Sequence, residues 1–178
     1  MTKTKEFSLP ETREEGSTRR EIQLACFRVG SELYALDILR IREVIRPQKL
    51  TAVPQAPPFI EGVINLRGVV IPIVDLRKRF GSPEREFDRK TRVVICGLAG
   101  KIIGLVVDEV AEVRRYSRQE IQPAPRFLQG RGAEFFLGVC RRDDDLVMLV
   151  DLERILTSDE KIDLGNVDLI PGSDTSSG

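Results

Sequence analysis

The stretch from Phe59 to Phe80, FIEGVINLRGVVIPIVDLRKRF, returns in weaker form about seventy-six residues later as Gly138 to Leu156, GVCRRDDDLVMLVDLERIL. In one register Gly62 falls on Gly138, Val63 on Val139, Val74 on Val150, Asp75 on Asp151 and Leu76 on Leu152. Each copy spells a strand, a two-residue turn, a second strand and an Asp that opens a short helix. Only the turns differ in chemistry, Arg67-Gly68 in the first copy against Asp143-Asp144 in the second. Upstream, CFRVGSELYALDILRIREV (Cys26 to Val44) lines up loosely with CGLAGKIIGLVVDEVAEV (Cys96 to Val113). Both carry a turn, Gly30-Ser31 and Ala99-Gly100, and then an Asp, Asp37 and Asp108. PFIEG (Pro58 to Gly62) and RFLQG (Arg126 to Gly130) follow in the same order. Two copies of so long a period do not make a solenoid. They indicate two related half-domains packed with approximate two-fold symmetry.

A chain of 178 residues holds one domain, or two small lobes sharing a core. A body of this size buries roughly 70% of its unfolded surface, so it needs neither disulfide nor metal. The strand signals are Ile22–Val29, Glu32–Leu36, Gly62–Leu66, Val69–Val74, Thr91–Leu98, Lys101–Val113, Phe135–Arg141 and Leu146–Val150. They are short, rich in Val and Ile, and punctuated by glycine and proline, which predicts an all-β barrel or sandwich. Helices are expected to be brief: a turn or two over Ile38–Val44, then LRKRF after Asp75 and LERIL after Asp151. In the last two, Leu76 with Phe80 and Leu152 with Leu156 make i, i+4 pairs. Residues 1–20 and 164–178 read as polar tails around an ordered body from 21 to 163. The polar linker Ser82–Lys90 divides that body into a first lobe of roughly 21–88 and a second of roughly 89–163, with exchange of elements between them open.

Composition narrows the function. Lys and Arg equal Asp and Glu at 28 each, which removes the charge footprint of a nucleic-acid binder. Neither a signal peptide nor an apolar run long enough to span a bilayer is legible. Three cysteines without CxxC spacing point to a reducing, cytoplasmic setting and to buried core thiols. The chain has no histidine, so Ser-His-Asp and Cys-His catalysis and imidazole metal sites are excluded. Gly97-Leu98-Ala99-Gly100-Lys101 lacks phosphate-loop spacing, and Asp143-Asp144-Asp145 lacks the alternation of a calcium loop; hairpin tips account for both. No cofactor or metal is expected. The repeat does place Asp75 and Asp151 symmetrically at strand ends, where a proton-sharing acid-hydrolase dyad is conceivable. A helix N-cap explains the same two residues, and the distance between the carboxylates decides.

Interaction is the remaining class. In Asn65-Leu66-Arg67-Gly68 a tight turn projects a guanidinium outward, and its replacement by Asp143 shows that the fold does not require Arg there. Ile41-Arg42-Glu43-Val44 mixes apolar and charged residues in a short segment, a rim suited to a partner helix.

At these residues the chain closely resembles the CheW family of bacterial chemotaxis coupling proteins. The resemblance covers Glu21 to Asp163 and is carried by FIEGVINLRGVVIPIVDLRKRF, ALDILRIREVI, GLVVDEV and SRQEIQPAPRF (Ser117 to Phe127). It implies two pseudo-symmetric five-stranded SH3-like β-barrel lobes with a few short helices, and no catalytic activity. It also implies an adaptor between the cytoplasmic hairpin tip of chemoreceptors and the regulatory domain of the histidine autokinase CheA, recruited to membrane-associated receptor arrays. Carried over by motif position, Ile41, Glu43, Gly62 and Arg67 face the receptor, with Asn65, Leu66 and Gly68 supporting the turn. The resemblance puts the kinase-facing surface on the opposite part of the first lobe, without individual residues. A CheW-like adaptor of a non-chemotactic pathway, serving surface motility or gene regulation, carries the same signature.

Overall fold

The computed structural model describes residues 21–83, 85–98, 100–123 and 133–166. The chain runs through β1 (Glu21–Val29), β2 (Glu32–Asp37), β3 (Ile41–Ile45), β4 (Gly62–Leu66), β5 (Val69–Asp75) and the short helix α1 (Leu76–Arg79). Its second half supplies β6 (Arg92–Leu98), β7 (Lys101–Val107), β8 (Glu109–Ser117), β9 (Ile121–Gln122), β10 (Phe136–Arg142), β11 (Asp145–Val150) and α2 (Ser158–Asn166). One sheet has the order β8-β1-β2-β11-β10-β9, the other β3-β6-β7-β5-β4. The all-β, two-lobed architecture expected of the sequence is what forms, with six strands in one lobe and five in the other.

Each sheet draws on both halves of the chain. The hairpin β1–β2 of the first half joins β8, β10 and β11 of the second, and β6–β7 of the second joins β3, β4 and β5 of the first. Substituting each strand by its repeat partner turns the order β8-β1-β2-β11-β10 into β3-β6-β7-β5-β4. The pseudo-two-fold therefore maps one sheet onto the other by exchanging hairpins. Parallel pairing holds both seams: Ile73, Val74 and Asp75 of β5 face Gly104, Leu105 and Val106 of β7, while Met148 and Leu149 of β11 face Tyr34 and Ala35 of β2.

Strand alternation explains why the exchanged hairpins are so apolar. Along β2, Leu33 and Ala35 enter a core inside the six-strand lobe, with Ile22, Leu24, Tyr116, Cys140 and Val147. Tyr34 and Leu36 point the other way, into a larger core between the lobes. Along β6, Val93 and Ile95 fill the five-strand lobe with Ile64, Ile71 and Val106, and Val94, Cys96 and Leu98 meet the inter-lobe core. These hairpins are thus buried on both faces, the condition for near-continuous hydrophobic runs. Tyr34 stacks on Phe80 with ring centroids 4.7 Å apart and on Phe136 at 5.7 Å, tying the lobes with an aromatic cluster.

Three local expectations are corrected, and one short strand is added. Ile38–Arg40 is a single 3-10 turn, and Ile41–Ile45 is strand β3, since Ile-Arg-Glu-Val-Ile alternates and pairs with β6. The long strand over 101–113 is two strands broken at Asp108, where the chain passes from one sheet to the other. The two-residue β9 pairs with Val139 and Cys140 of β10. Leu164, placed by the sequence in a C-terminal tail, is fully buried on α2. The N-terminal segment 1–20, Ala99, the RFLQG segment and residues 167–178 lie outside the described residues.

Candidate functional site

The β4–β5 turn is built by its own residues. Asn65 Oδ1 accepts a hydrogen bond from the Gly68 backbone N–H at 2.8 Å, and half-buried Leu66 packs on the five-strand core. Gly68 has φ +88°, and Arg67 is itself left-handed at φ +53°. The matching turn holds Asp143 at φ +54°. Asp tolerates that conformation; for Arg it costs about 1 kcal/mol.

That cost presents the guanidinium to Glu43 of β3, whose two carboxylate oxygens both accept from Nη2 of Arg67. Strands β3 and β4 are opposite edges of the five-stranded order, so an ion pair between them means the sheet has curled until its edges meet. Ile41, two residues before Glu43, is half-buried against the inter-lobe core. Val44 and Val69, the chain neighbours of the pair, are 41% and 49% exposed. This end of the lobe thus carries an ion pair, and the two strands that adjoin it, β3 and β5, each leave a valine exposed. Sequence reading passed over Val69, because an apolar run normally signals burial.

Gly62 lies at the far end of β4 from Arg67 and is buried. A Cβ there would stand 2.8 Å from the Thr51 carbonyl oxygen, and Thr51 bridges to Val63. Its repeat partner Gly138 has the same neighbour in kind: a Cβ would come within 2.4 Å of the Gln122 carbonyl on β9. The shared glycine lets an extra chain segment lie across the edge hairpin of each lobe.

The repeat-related end of the six-strand lobe has the chemistry rearranged. By strand register Glu112 stands where Glu43 does, Val113 where exposed Val44 does, Arg114 where Ile45 does, and Asp145 where Val69 does. Arg114 Nη1 meets Asp145 at 3.1 Å, and Val113 is exposed. Asp143 takes the place of Arg67, so the acid that would meet a guanidinium at this end, Glu112, pairs instead with Arg114.

Asp75 and Asp151 do not form a dyad. Both oxygens of Asp75 are taken by Arg77 at 2.9 Å, and its Oδ1 also accepts the Arg77 backbone N–H. Asp151 caps its own 3-10 turn through the Glu153 N–H at 3.0 Å and pairs with Arg154 at 3.4 Å. Each carboxylate holds its own cations, with no shared proton position. Gly97 and Lys101 sit on β6 and β7 flanking a hairpin tip. Among the described residues no group of three His, Cys, Asp or Glu is disposed to hold a metal ion, and no helix is long and apolar enough to cross a membrane. Burial pushes the Cys26 thiol up to about 11 and those of Cys96 and Cys140 up to about 12, so all three are inert core groups.

Two curled β lobes that exchange hairpins around a shared core define the class of protein. A family model described as "CheW-like domain" matches residues 23–160. The chain is 36% identical over 141 residues to the chemotaxis protein CheW of Klebsiella aerogenes, covering 79% of this chain and 85% of that one. It is 32% identical to the chemotaxis protein CheW of Treponema pallidum over 151 residues, covering 83% and 89%. Among solved structures, the scaffolding protein TtCheW from Thermoanaerobacter tengcongensis superimposes with a TM-score of 0.70 at 36% identity, covering 75% of this chain and 91% of that one. The chain belongs to the CheW family, and is an adaptor of chemotaxis or chemosensory signalling.

Proposed function

We propose that this chain couples chemoreceptors to a CheA-type histidine kinase, and that the receptor's cytoplasmic hairpin tip docks at Ile41, Glu43 and Arg67. The observation that carries this reading is the Arg67 turn. A solvent-exposed ion pair contributes only about 0–1 kcal/mol, no more than the left-handed backbone of Arg67 costs. The arrangement gains the fold little, while it holds a largely exposed guanidinium over a carboxylate at an end of the lobe where Val44 and Val69 are also exposed. Strain stored where no stability results points to a partner. An amphipathic helix pair offers what such a surface takes: apolar anchors flanked by charge. Asn65, Leu66 and Gly68 hold the turn, while Gly62, at the far end of β4, makes room for the Thr51 segment and not for the docking surface itself. The six-strand lobe, with different chemistry at the equivalent end, is free for another contact. Each contact is modest; repetition in a membrane-associated array supplies avidity.

Arg67→Glu reverses the charge and sets it against Glu43. Affinity for a receptor-tip fragment is expected to fall at least tenfold, and kinase stimulation with it, while the urea midpoint hardly moves. Wild-type affinity in a folded variant would refute the docking site. Co-purification from cells, identifying the receptor and kinase held by the wild-type chain, separates chemotaxis from another chemosensory output.

A further inference from the structure

The two exchange seams are clipped in different ways. At the β5–β7 seam Arg77, 3% exposed, spreads its guanidinium over four groups. It binds both oxygens of Asp75, donates through Nη1 to the Arg85 carbonyl at 2.8 Å, and reaches Asp108 Oδ1 at 3.5 Å, with Phe87 stacked 5.1 Å away. The other Asp108 oxygen accepts the Gly30 N–H at 2.7 Å, and the Asp108 N–H donates to the Arg28 carbonyl. Gly30 and Arg28 belong to the β1–β2 hairpin of the six-strand lobe, while Asp75 and Arg77 end the β5 arm of the five-strand lobe. Asp108 is the residue at which the chain crosses between them. A single buried carboxylate therefore joins the lobes, and Arg77 braces it.

At the β2–β11 seam strand register puts Leu39 where Asp108 stands and Glu153 where Arg77 stands, so no carboxylate bridges there. There Asp37 accepts the Leu39 N–H of its own turn, and Arg40 meets Glu153 at 2.6 Å on an exposed surface. The molecule has one dry joint and one wet joint. Buried charge networks transmit displacement because they have few alternative arrangements, whereas exposed pairs exchange readily with water.

We propose that Asp108 and Arg77 are positioning residues that lock the angle between the lobes, and that this locked angle is what the adaptor hands from receptor to kinase. The inference rests on the coupling function proposed above. Asp108→Asn keeps an acceptor for Gly30 but removes the charge that Arg77 braces; Arg77→Lys keeps the charge but loses the fork. The lobes are reported by spin labels at Lys101→Cys and Arg141→Cys, exposed sites on the five- and six-strand lobes, with the three buried native thiols protected by their surroundings. Expected in both variants is a label-to-label distance distribution at least twofold broader than wild type. Affinities for receptor tip and kinase should stay within twofold, and stimulation of the kinase should fall at least tenfold per folded molecule. An unbroadened distribution in both overturns the joint, and full stimulation despite broadening overturns its role in transfer. Failure of both variants to fold would reduce the cluster to a folding element and also refute the proposal. If the wild-type chain binds no receptor tip, the coupling function fails instead, and the distance measurement still tests the joint, since it needs no partner.

Discussion

At the scale of single residues, the repeat marks positions whose reasons differ. Gly62 and Gly138 are shared because a carbonyl oxygen, Thr51 in one lobe and Gln122 in the other, lies where a Cβ would go. The obstacle is backbone, so it yields only by moving a strand. Gly138→Ala should cost about 1–3 kcal/mol, measured by urea unfolding, and should speed hydrogen exchange at Ile121 and Gln122. Gly104 is small for another reason: a Cβ there would meet Ile73 Cδ1 at 2.7 Å and Val93 Cγ1 at 2.8 Å inside the five-strand core. Asp75 and Asp151 are both helix caps, as their position before LRKR and LERI suggested, yet Asp75 alone is drawn into a buried ion network. The cap was legible from three neighbouring residues. The network was not, because Asp108 and Gly30 are distant in sequence.

Among the elements, the edge strands decide how each lobe closes. In the six-strand lobe, Arg142 at the end of β10 is held against β8 by Glu120, through Nε at 3.1 Å and Nη2 at 3.1 Å, and its guanidinium lies 4.4 Å from the Tyr116 ring. The Arg142 bonds and the Ser117 N–H hold the Glu120 carboxyl below its ordinary value of 4.5. A carboxyl with a depressed folded value contributes stability that is present above the unfolded value and is lost as pH falls through the folded one. The urea midpoint of the wild type should therefore drop as pH falls from roughly 5 to 3, and the drop should shrink in Glu120→Gln. A drop of equal size in that variant would assign the acid sensitivity to other carboxylates. The pair is only half-buried, so the effect is small. The five-strand lobe closes through Arg67 and Glu43 instead, and there the closing contact is also the proposed docking surface.

The whole molecule is an interlocked pair of halves. Neither half owns a sheet: residues 21–88 contribute two strands to one and three to the other, so each half alone would leave unpaired edges and bare core faces. Separate peptides covering 21–88 and 89–166 are expected to show no cooperative unfolding, whereas an equimolar mixture regains native circular dichroism and a single transition. Cooperative folding of either half alone would contradict the exchanged topology. The same interlocking makes the inter-lobe core larger than either lobe's own, with Phe27, Tyr34, Leu36, Val94 and Leu105 all on it. Rigid transfer between the two ends depends on that core and on the Asp108 joint together.

What this sequence determined by itself was whatever is local or periodic: the strands with their alternation, the turns at Arg67-Gly68 and Asp143-Asp144, the Asp caps, the inert cysteines, and the duplication that implied two lobes. The CheW-type motifs made the family legible as well, since they are contiguous runs of side chains. Tertiary structure alone decided which hairpin joins which sheet, that Glu43 closes on Arg67, and that Asp108 leaves strand pairing to bridge the lobes. These depend on contacts between segments far apart in the chain, where loop-closure entropy and core packing, rather than local propensity, select the partner.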